Sequence, residues 1–498
     1  MTEQNRRHVT EAGHIIEQAA WIEPLALFAP LAHEPFALFL DSASAPQGAR
    51  WSFIATDPFT TLTAKNGRPR AADHTLSIGP FEAVEQRLTD YACDPGWTAA
   101  CGLDAEDCPP FTGGAAGYFG YELGHDLERL TRAPKDTLDL PDMALGAYDT
   151  VLAFDHLKRR TFLISTGLPE KTPAARAARA QARLTPWRAR LALAPKQAPS
   201  APNPPSKKPE VSSPTSRPNY EAAIAGIIEH IYAGDIFQAN LSRKQQAPLA
   251  EEDDAWTVYQ RLRTLSPAPF AAFFQFPGAT LLSSSPERFL KCRDRAVVTE
   301  PIKGTRPRGQ TQEEDIALTH ALTASEKDRA ENIMIVDLMR NDLSRVCVDG
   351  TVKVTELCGL HSFATVHHLV STVKGRLRDE VSLVGLLTAC FPGGSITGAP
   401  KLRAMDIITA REGDTRGPYC GAIGYLGFDG AMDTSIAIRI AVVKDRIAHF
   451  QAGGAIVAGS DPATEFDETN HKARAIAAAI RGEEQTQTTP ATDRQQSA

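Results

Sequence analysis

Several features that would point to a specialised environment are missing from this chain. Its eight cysteines are spread over 498 residues without CxxC spacing, at Cys93, Cys101, Cys108, Cys292, Cys347, Cys358, Cys390 and Cys420. A disulfide framework needs denser cysteine, so reduced and partly buried thiols are expected. No apolar run is long enough for a bilayer. Ala26 to Leu40 is interrupted by Pro30, His33, Glu34 and Pro35, and the opening MTEQNRRHVTEAGHIIEQ has no signal-like apolar core. A cytoplasmic chain without membrane contact is the expectation. There is no excess of positive charge: the net charge is -7, which removes nucleic acid as an obvious partner. Zinc-spaced His/Cys clusters, a GxxxxGK[ST] loop and a GxGxxG following a strand are also absent.

What is present is ordinary globular composition, 42% hydrophobic and 23% charged, in a chain long enough for two or three domains. Four regions separate by composition. Residues 1–194 mix short β-like runs, such as Phe36 to Leu40 and Val151 to Phe154, with loops, and end in an Ala/Arg-rich segment over 172–193. That segment predicts a solvated helix broken at Pro186; a basic binding helix is the alternative. Residues 195–218 are rich in Pro, Ser and Lys and read as a linker. Residues 219–482 hold the dense patterns. The polar stretch 483–498 reads as a disordered tail. Tyr220 to Ala233 carries Ile224, Ile227, Ile228 and Ile231 on one helical stripe. Phe270 to Phe274, Thr280 to Leu282 and Ser435 to Val443 predict strands, the last with Arg439 at its middle. Helices and strands alternate without a regular βαβ beat, which favours α+β.

Three constellations carry chemistry. Asp328 and Glu331 are spaced i,i+3, as are Glu465 and Glu468, with Lys472 one turn beyond Glu468. On helices, each pair would share one face. Two such acidic edges suit a hard cation, Mg²⁺ above all; solvated faces with i,i+4 ion pairs are the commoner meaning of the spacing alone. Glycine-rich turns lie at FPGGSITGAPK (391–401) and QAGGAIV (451–457), where backbone N–H groups can meet a carboxylate. Finally, Glu287 in SSSPERF precedes Lys303 in PIKGTRPRG. An acid and an amine of this kind can bracket a leaving group and an electrophilic carbon, provided the amine is neutral.

These segments resemble the chorismate-utilising enzymes, a family that includes anthranilate synthase component I, para-aminobenzoate synthase component I and the isochorismate and salicylate synthases. The resemblance rests on GDIFQANLSR, SSSPERF, PIKGTRPRG, DRAENIMIVDLMRND, HHLVSTVKG, FPGGSITGAPK, GPYCGAIGYLGF and QAGGAIVAGSDPATEFDET, in that order across 220–475. FLDSA and ARWSFIATDP extend it loosely into the N-terminal region. It implies an α+β fold in which two sheets form a sandwich with helices outside and the substrate cleft between them. The N-terminal region would contribute to this body, making the linker an excursion.

Carried over motif by motif, the resemblance implies Glu331 and Glu468 as direct Mg²⁺ ligands, with Asp328 and Glu465 as water-mediated companions. Tyr419, Arg439, Gly453, Gly454 and Lys472 match positions that hold substrate carboxylates, and Gly304 and Thr305 flank the amine. The hydroxyl of the GSITGAPK turn matches Ser395, with Thr397 as the alternative. His368 lies near the reacting face, and Glu287 matches the acid that helps the 4-hydroxyl of chorismate depart. Two positions select the branch. Gln238 stands where the water-activating enzymes carry a lysine base. Lys303 stands where anthranilate synthases resemble PIAGT and para-aminobenzoate synthases PIKGT.

The resemblance therefore implies an aminodeoxychorismate-forming synthase. Lys303 would take ring carbon C2 as the 4-hydroxyl leaves, and ammonia would then add at C4 and expel the lysine. Ammonia would come from a separate glutamine amidotransferase subunit, since no glutaminase motif is present. Anthranilate synthase component I and a non-catalytic amidotransferase scaffold are the competing expectations. Relatives can also hold tryptophan in the N-terminal region, where the inhibitor-type motif is reduced here to Phe39-Leu40-Asp41-Ser42.

Overall fold

The computed structural model describes residues 7–43, 50–72, 74–98, 103–194, 201–363 and 366–483. The first part of the expected linker (195–200), nearly all of the expected tail (484–498) and Cys101 lie outside them.

Alternating apolar residues in both halves of the chain build two antiparallel sheets, each of twelve strands. Neither half makes a sheet alone. In the first sheet, Leu38–Asp41 pairs with Phe270–Phe276, so that Phe39 faces Phe273 across the ladder. In the second, Gly114–Phe119 pairs with Ala422–Gly427. Side chains from the two inner faces, among them Tyr118, Phe274, Leu281, Phe289 and Ile423, merge into one buried core between the sheets. Helices cover the outside. Ala255–Leu265, Pro173–Leu193 and Pro462–Arg481 bury Trp256, Leu184 and Ile476 against the first sheet. Arg217–Tyr232 and Lys401–Glu412 pack on its far edge, strand Gln238–Pro248, through Ile224, Ile227 and Ile408. No described helix is long and apolar enough to cross a membrane.

Two expectations about elements need correction. The helix over 173–193 is continuous, with Pro186 inside it. Ala180, Leu184 and Trp187 form a buried stripe at spacing four and then three, and that packing outweighs the lost hydrogen bond. Its arginines are taken up by the body of the protein: Arg179 and Arg183 meet the buried Asp149 at 3.3 and 3.2 Å, and Arg188 meets Glu17 at 2.7 Å. The second correction concerns Ser435–Val443, which is not one strand. Met432–Ile436 belongs to the second sheet and Ile440–Lys444 to the first, with Ala437–Arg439 crossing between them. Arg439 turns the corner at φ +54°, a conformation that costs a non-glycine residue roughly 1–3 kcal/mol and persists where neighbours enforce it.

The described part of the expected linker, from residue 201, is tied to the body of the protein. Ser212 bridges to Gln246 of the edge strand, Lys208 pairs with Glu483 at 3.2 Å, and Arg261 holds the carbonyl of Asn203. The seven described cysteines are all buried and unpaired.

Candidate active site

The site forms where the sheets exchange chain. Strand Ala279–Ser285 lies in the first sheet and Arg288–Arg293 in the second, so Pro286 and Glu287 make a second crossing beside the one at Ala437–Arg439. The two crossings are laced together. Ile436 N donates to Glu287 O at 3.0 Å, the Ser285 hydroxyl donates to Ile436 O at 2.6 Å, and Ser284 N donates to Arg439 O at 3.0 Å. A cavity of about 680 Å³ opens beside them. Of the residues singled out from the sequence, it gathers Glu287, Lys303, Gly304, Thr305, Asp328, Glu331, His368, Ser395, Tyr419, Arg439, Gly453, Glu465, Glu468 and Lys472 along its wall.

Glu287 is buried, 4% exposed. Burial raises its carboxyl to about 7, against the opposing pull of the Ser395 hydroxyl, Lys303 and the Ile302 N–H. Burial thus favours the protonated acid well above the ordinary carboxyl range. Lys303 sits on strand Ile302–Pro307, whose register against Val366–Arg376 shifts between Lys303 and Thr305. Gly304, at φ +85°, makes this bulge possible, and a bulge re-aims the side chain next to it. Lys303 Nζ donates to Ser395 O at 3.0 Å. Burial lowers its pKa; Glu331 resists, Lys472 adds to the fall, and Glu287 and Glu468 resist. His368 is buried and kept neutral, its pKa lowered to about 4 by burial and then by the Arg439 cation. Its Nδ1 lies 2.9 Å from the Thr305 hydroxyl.

Both acidic pairs are helical. Asp328 and Glu331 lie in Glu326–Ser344, with Ser325 as N-cap, and Glu465 and Glu468 lie in Pro462–Arg481, with Asp461 as N-cap. Each of three carboxylates already has a cation: Asp328 meets Arg306 at 3.1 Å, Glu465 meets Lys327 at 3.6 Å, and Glu468 meets Lys472 at 2.6 Å. Glu331 has its pKa raised, by burial first and also by Asp328 and Glu465, while Lys303 and Lys327 oppose the rise. Among the described residues, no group of three or more His, Cys, Asp or Glu side chains is already placed to hold a metal ion. The donor chemistry nonetheless fits Mg²⁺, which needs only one or two carboxylates beside water and substrate oxygens. Crowded acids on two facing helices are what such a cation relieves. Strand Ile447–Ile456 brings its glycines close by. A Cβ at Gly453 would lie 2.3 Å from Leu241 O, and one at Gly454 would lie 3.0 Å from Glu465 Oε2 and 3.8 Å from Lys472 Nζ. Glycine there keeps the ladder tight and the space beside the carboxylates open.

Three singled-out residues do not line the cavity: Gly454, which lies next to Gly453 and close to the Glu465 carboxylate, Thr397 and Gln238. Thr397 is fully buried and its hydroxyl donates to Gly393 O at 3.0 Å, which leaves Ser395 as the hydroxyl that faces the cavity. Gln238 is also fully buried, one alternation before Asn240, which does line the cavity; neither polar atom of the Gln238 amide has a hydrogen-bond partner among the described residues. Sequence reasoning missed Asn240, Arg306 and Lys327. Each sits inside a quoted motif or next to one, and the β alternation from Gln238 to Asn240 was the available signal. In the N-terminal motif, Asp41 is buried and accepts from Arg263 Nε at 2.5 Å, Tyr259 at 3.2 Å and Ser52 at 3.3 Å, so protein donors occupy both of its oxygens.

A cleft between two exchanged sheets, lined by an acid, an enclosed amine, facing acidic helices and a glycine-bearing strand, defines an enzyme for a small carboxylated substrate. The chain belongs to the chorismate-binding enzyme family, whose profile matches residues 36–478. It is 39% identical to aminodeoxychorismate synthase component 1 of Klebsiella aerogenes over 466 residues, covering 90% of this chain and 94% of that protein. It is 36% identical to anthranilate synthase component 1 of Geobacillus stearothermophilus over 486 residues, covering 92% and 91%. The crystal structure of anthranilate synthase component I from Streptococcus pneumoniae TIGR4 superposes with a TM-score of 0.74 at 30% identity, over 86% of this chain and 92% of that one. The expected α+β fold with two large antiparallel sheets is thus the anthranilate-synthase-like fold.

Proposed function

We propose that this chain is the synthase subunit that converts chorismate and ammonia to 4-amino-4-deoxychorismate. The observation that carries the reading is Lys303: a lysine enclosed in the cavity, with its pKa lowered, beside a carboxyl group raised to about 7. A lysine becomes a nucleophile when burial favours the neutral amine, and a carboxyl becomes a useful acid when its pKa approaches the working pH.

In this mechanism the neutral Lys303 amine forms a bond to ring carbon C2 while the C4–oxygen bond breaks, and Glu287 delivers a proton so that the 4-hydroxyl leaves as water. Ammonia then bonds to C4 and the C2–nitrogen bond to Lys303 breaks, returning the amine and placing the new amino group at C4. Ser395 orients both partners: its carbonyl accepts from Lys303 and its hydroxyl meets Glu287. Arg439, whose charge is disfavoured by burial, gains from a substrate carboxylate. Tyr419, Lys472 and Gly453 complete the carboxylate-binding wall, with Gly454 next to them leaving room beside Glu465. Glu331 and Glu468 would hold Mg²⁺ with Asp328 and Glu465 behind them, and the ion, when bound, offsets substrate carboxylate charge. Ammonia from a glutamine amidotransferase partner agrees with the relatives' being component 1 of their synthases.

The relatives at 36% identity favour a second reading, anthranilate synthase, in which the amine stays at C2. Purified chain supplied with chorismate, Mg²⁺ and ammonium separates the two by product identity. Aminodeoxychorismate from the wild type and its loss in Lys303→Ala support the proposal. Anthranilate alone, or an unimpaired Lys303→Ala enzyme, overturns it, and absence of any turnover would leave a scaffold role.

A further inference from the structure

One buried cation is not used by this mechanism. Arg416, 2% exposed at its side chain, lies in the segment after helix Lys401–Glu412 and spreads its guanidinium over three elements. Nε and Nη2 grip the two oxygens of Glu412 at 2.9 and 2.7 Å. Nη1 donates to Ile396 O at 3.0 Å and Nη2 to Asn240 O at 2.6 Å. Asn240 and Ile396 both line the active-site cavity, and their segments also touch each other, Asn240 N donating to Thr397 O at 2.7 Å. From the N-terminal half, Glu122 accepts the backbone N–H groups of Arg416 and Gly417 at 2.7 and 2.8 Å.

We propose that Arg416 is a positioning residue for the reacting amine: it ties the Gly393–Thr397 turn to strand Gln238–Pro248 and so sets the Ser395 carbonyl that holds Lys303. The inference rests on the role given to Lys303 above. A plain structural ion pair would need only Glu412. Here the planar fork reaches two backbone carbonyls of the cavity wall at the same time as the carboxylate, and a lysine, with one nitrogen at one point, cannot span them. The carbonyl that Arg416 grips, that of Ile396, is one peptide from the carbonyl that accepts from Lys303. A displacement of about 1 Å at a reacting group is enough to cost about a hundredfold in rate.

The test uses full-length Arg416→Lys and Glu412→Gln with saturating Mg²⁺ and ammonium, measuring kcat, KM for chorismate, and the share of amine found at C2 and at C4. The expected result for Arg416→Lys is a fall in kcat of about tenfold or more with KM held within about threefold, together with a larger share of C2-aminated product. Glu412→Gln should move the same quantities in the same direction by less, and it decides the matter if Arg416→Lys does not fold. Wild-type kcat and product ratio in the folded variants, with only the thermal midpoint lowered, would reduce Arg416 to a structural ion pair and overturn the proposal. If the wild type itself aminates only C2, it is the Lys303 reading that fails, and the clamp then stands or falls on kcat against KM alone.

Discussion

Replacing Glu287 with glutamine should stabilise the protein at alkaline pH while disabling it. The carboxyl has an ordinary pKa of 4.5 when the chain is unfolded and about 7 in the folded protein, where burial dominates. Because the folded value is raised, the native state keeps a proton that the unfolded state has already released between those limits. Stability contributed by this group is therefore intact at or below pH 4.5 and is lost as pH rises through 7. At about 1.4 kcal/mol per pKa unit, the full penalty above pH 7 comes to roughly 3 kcal/mol. The group is 4% exposed, so little solvent screening reduces it. Glutamine is neutral throughout and avoids the penalty. Urea unfolding of both proteins at pH 5 and pH 8.5, without substrate or metal, should show the variant gaining most of that roughly 3 kcal/mol at the higher pH and little at the lower. In the assay, wild-type kcat/KM should decline as pH rises past about 7. The variant should lose that limb and roughly 10²–10⁴-fold in rate. A gap in unfolding free energy that is the same at both pH values would show that Glu287 is not held protonated by its surroundings, and the acid role would go with it.

The remaining predictions concern the metal and the bulge. Chelation with EDTA should abolish turnover and added Mg²⁺ should restore it, with Glu468→Gln raising the Mg²⁺ needed for half-maximal rate by at least about tenfold; undiminished turnover in EDTA would contradict the assignment of both acidic helices. Gly304→Ala should lower unfolding stability by about 1–3 kcal/mol and impair catalysis, because φ is +85° there and the new Cβ would lie 3.0 Å from Asp328 Cβ and Leu322 Cδ1; an unchanged thermal midpoint would mean the bulge adapts.

Sequence patterns were most legible where chemistry and local geometry coincide. The i,i+3 acidic pairs and Lys472 could be placed on helix faces because spacing alone sets which side chains share a face, and Glu468 does meet Lys472 at 2.6 Å. Spacing could not say that the two helices face one cavity, since that depends on pairings between strands hundreds of residues apart, such as Gly114–Phe119 with Ala422–Gly427. The break at Ala437–Arg439 was invisible for a related reason. Hydrophobic residues continue on both sides of the crossing because both sheets bury them, and Arg439, the single charged residue in it, looks in sequence like one position of an uninterrupted strand. Pro186 misled in the opposite sense, a local breaker overruled by Leu184 and Trp187 packing on the sheet. Arg416 carried no signal, because a buried guanidinium looks in sequence like any arginine before a glycine.

The mutual threading of the two halves limits how such a protein can change. Both sheets that support the reaction chamber draw strands from opposite ends of the gene product, joined at Leu38–Asp41 with Phe270–Phe276 and at Gly114–Phe119 with Ala422–Gly427, so neither portion can be exchanged for a foreign counterpart without rebuilding the other. Variation in the early region, at Glu122 or along Gly114–Phe119, will be felt as altered chemistry far downstream, and new regulatory attachments will be tolerated at the periphery long before they are tolerated between the halves.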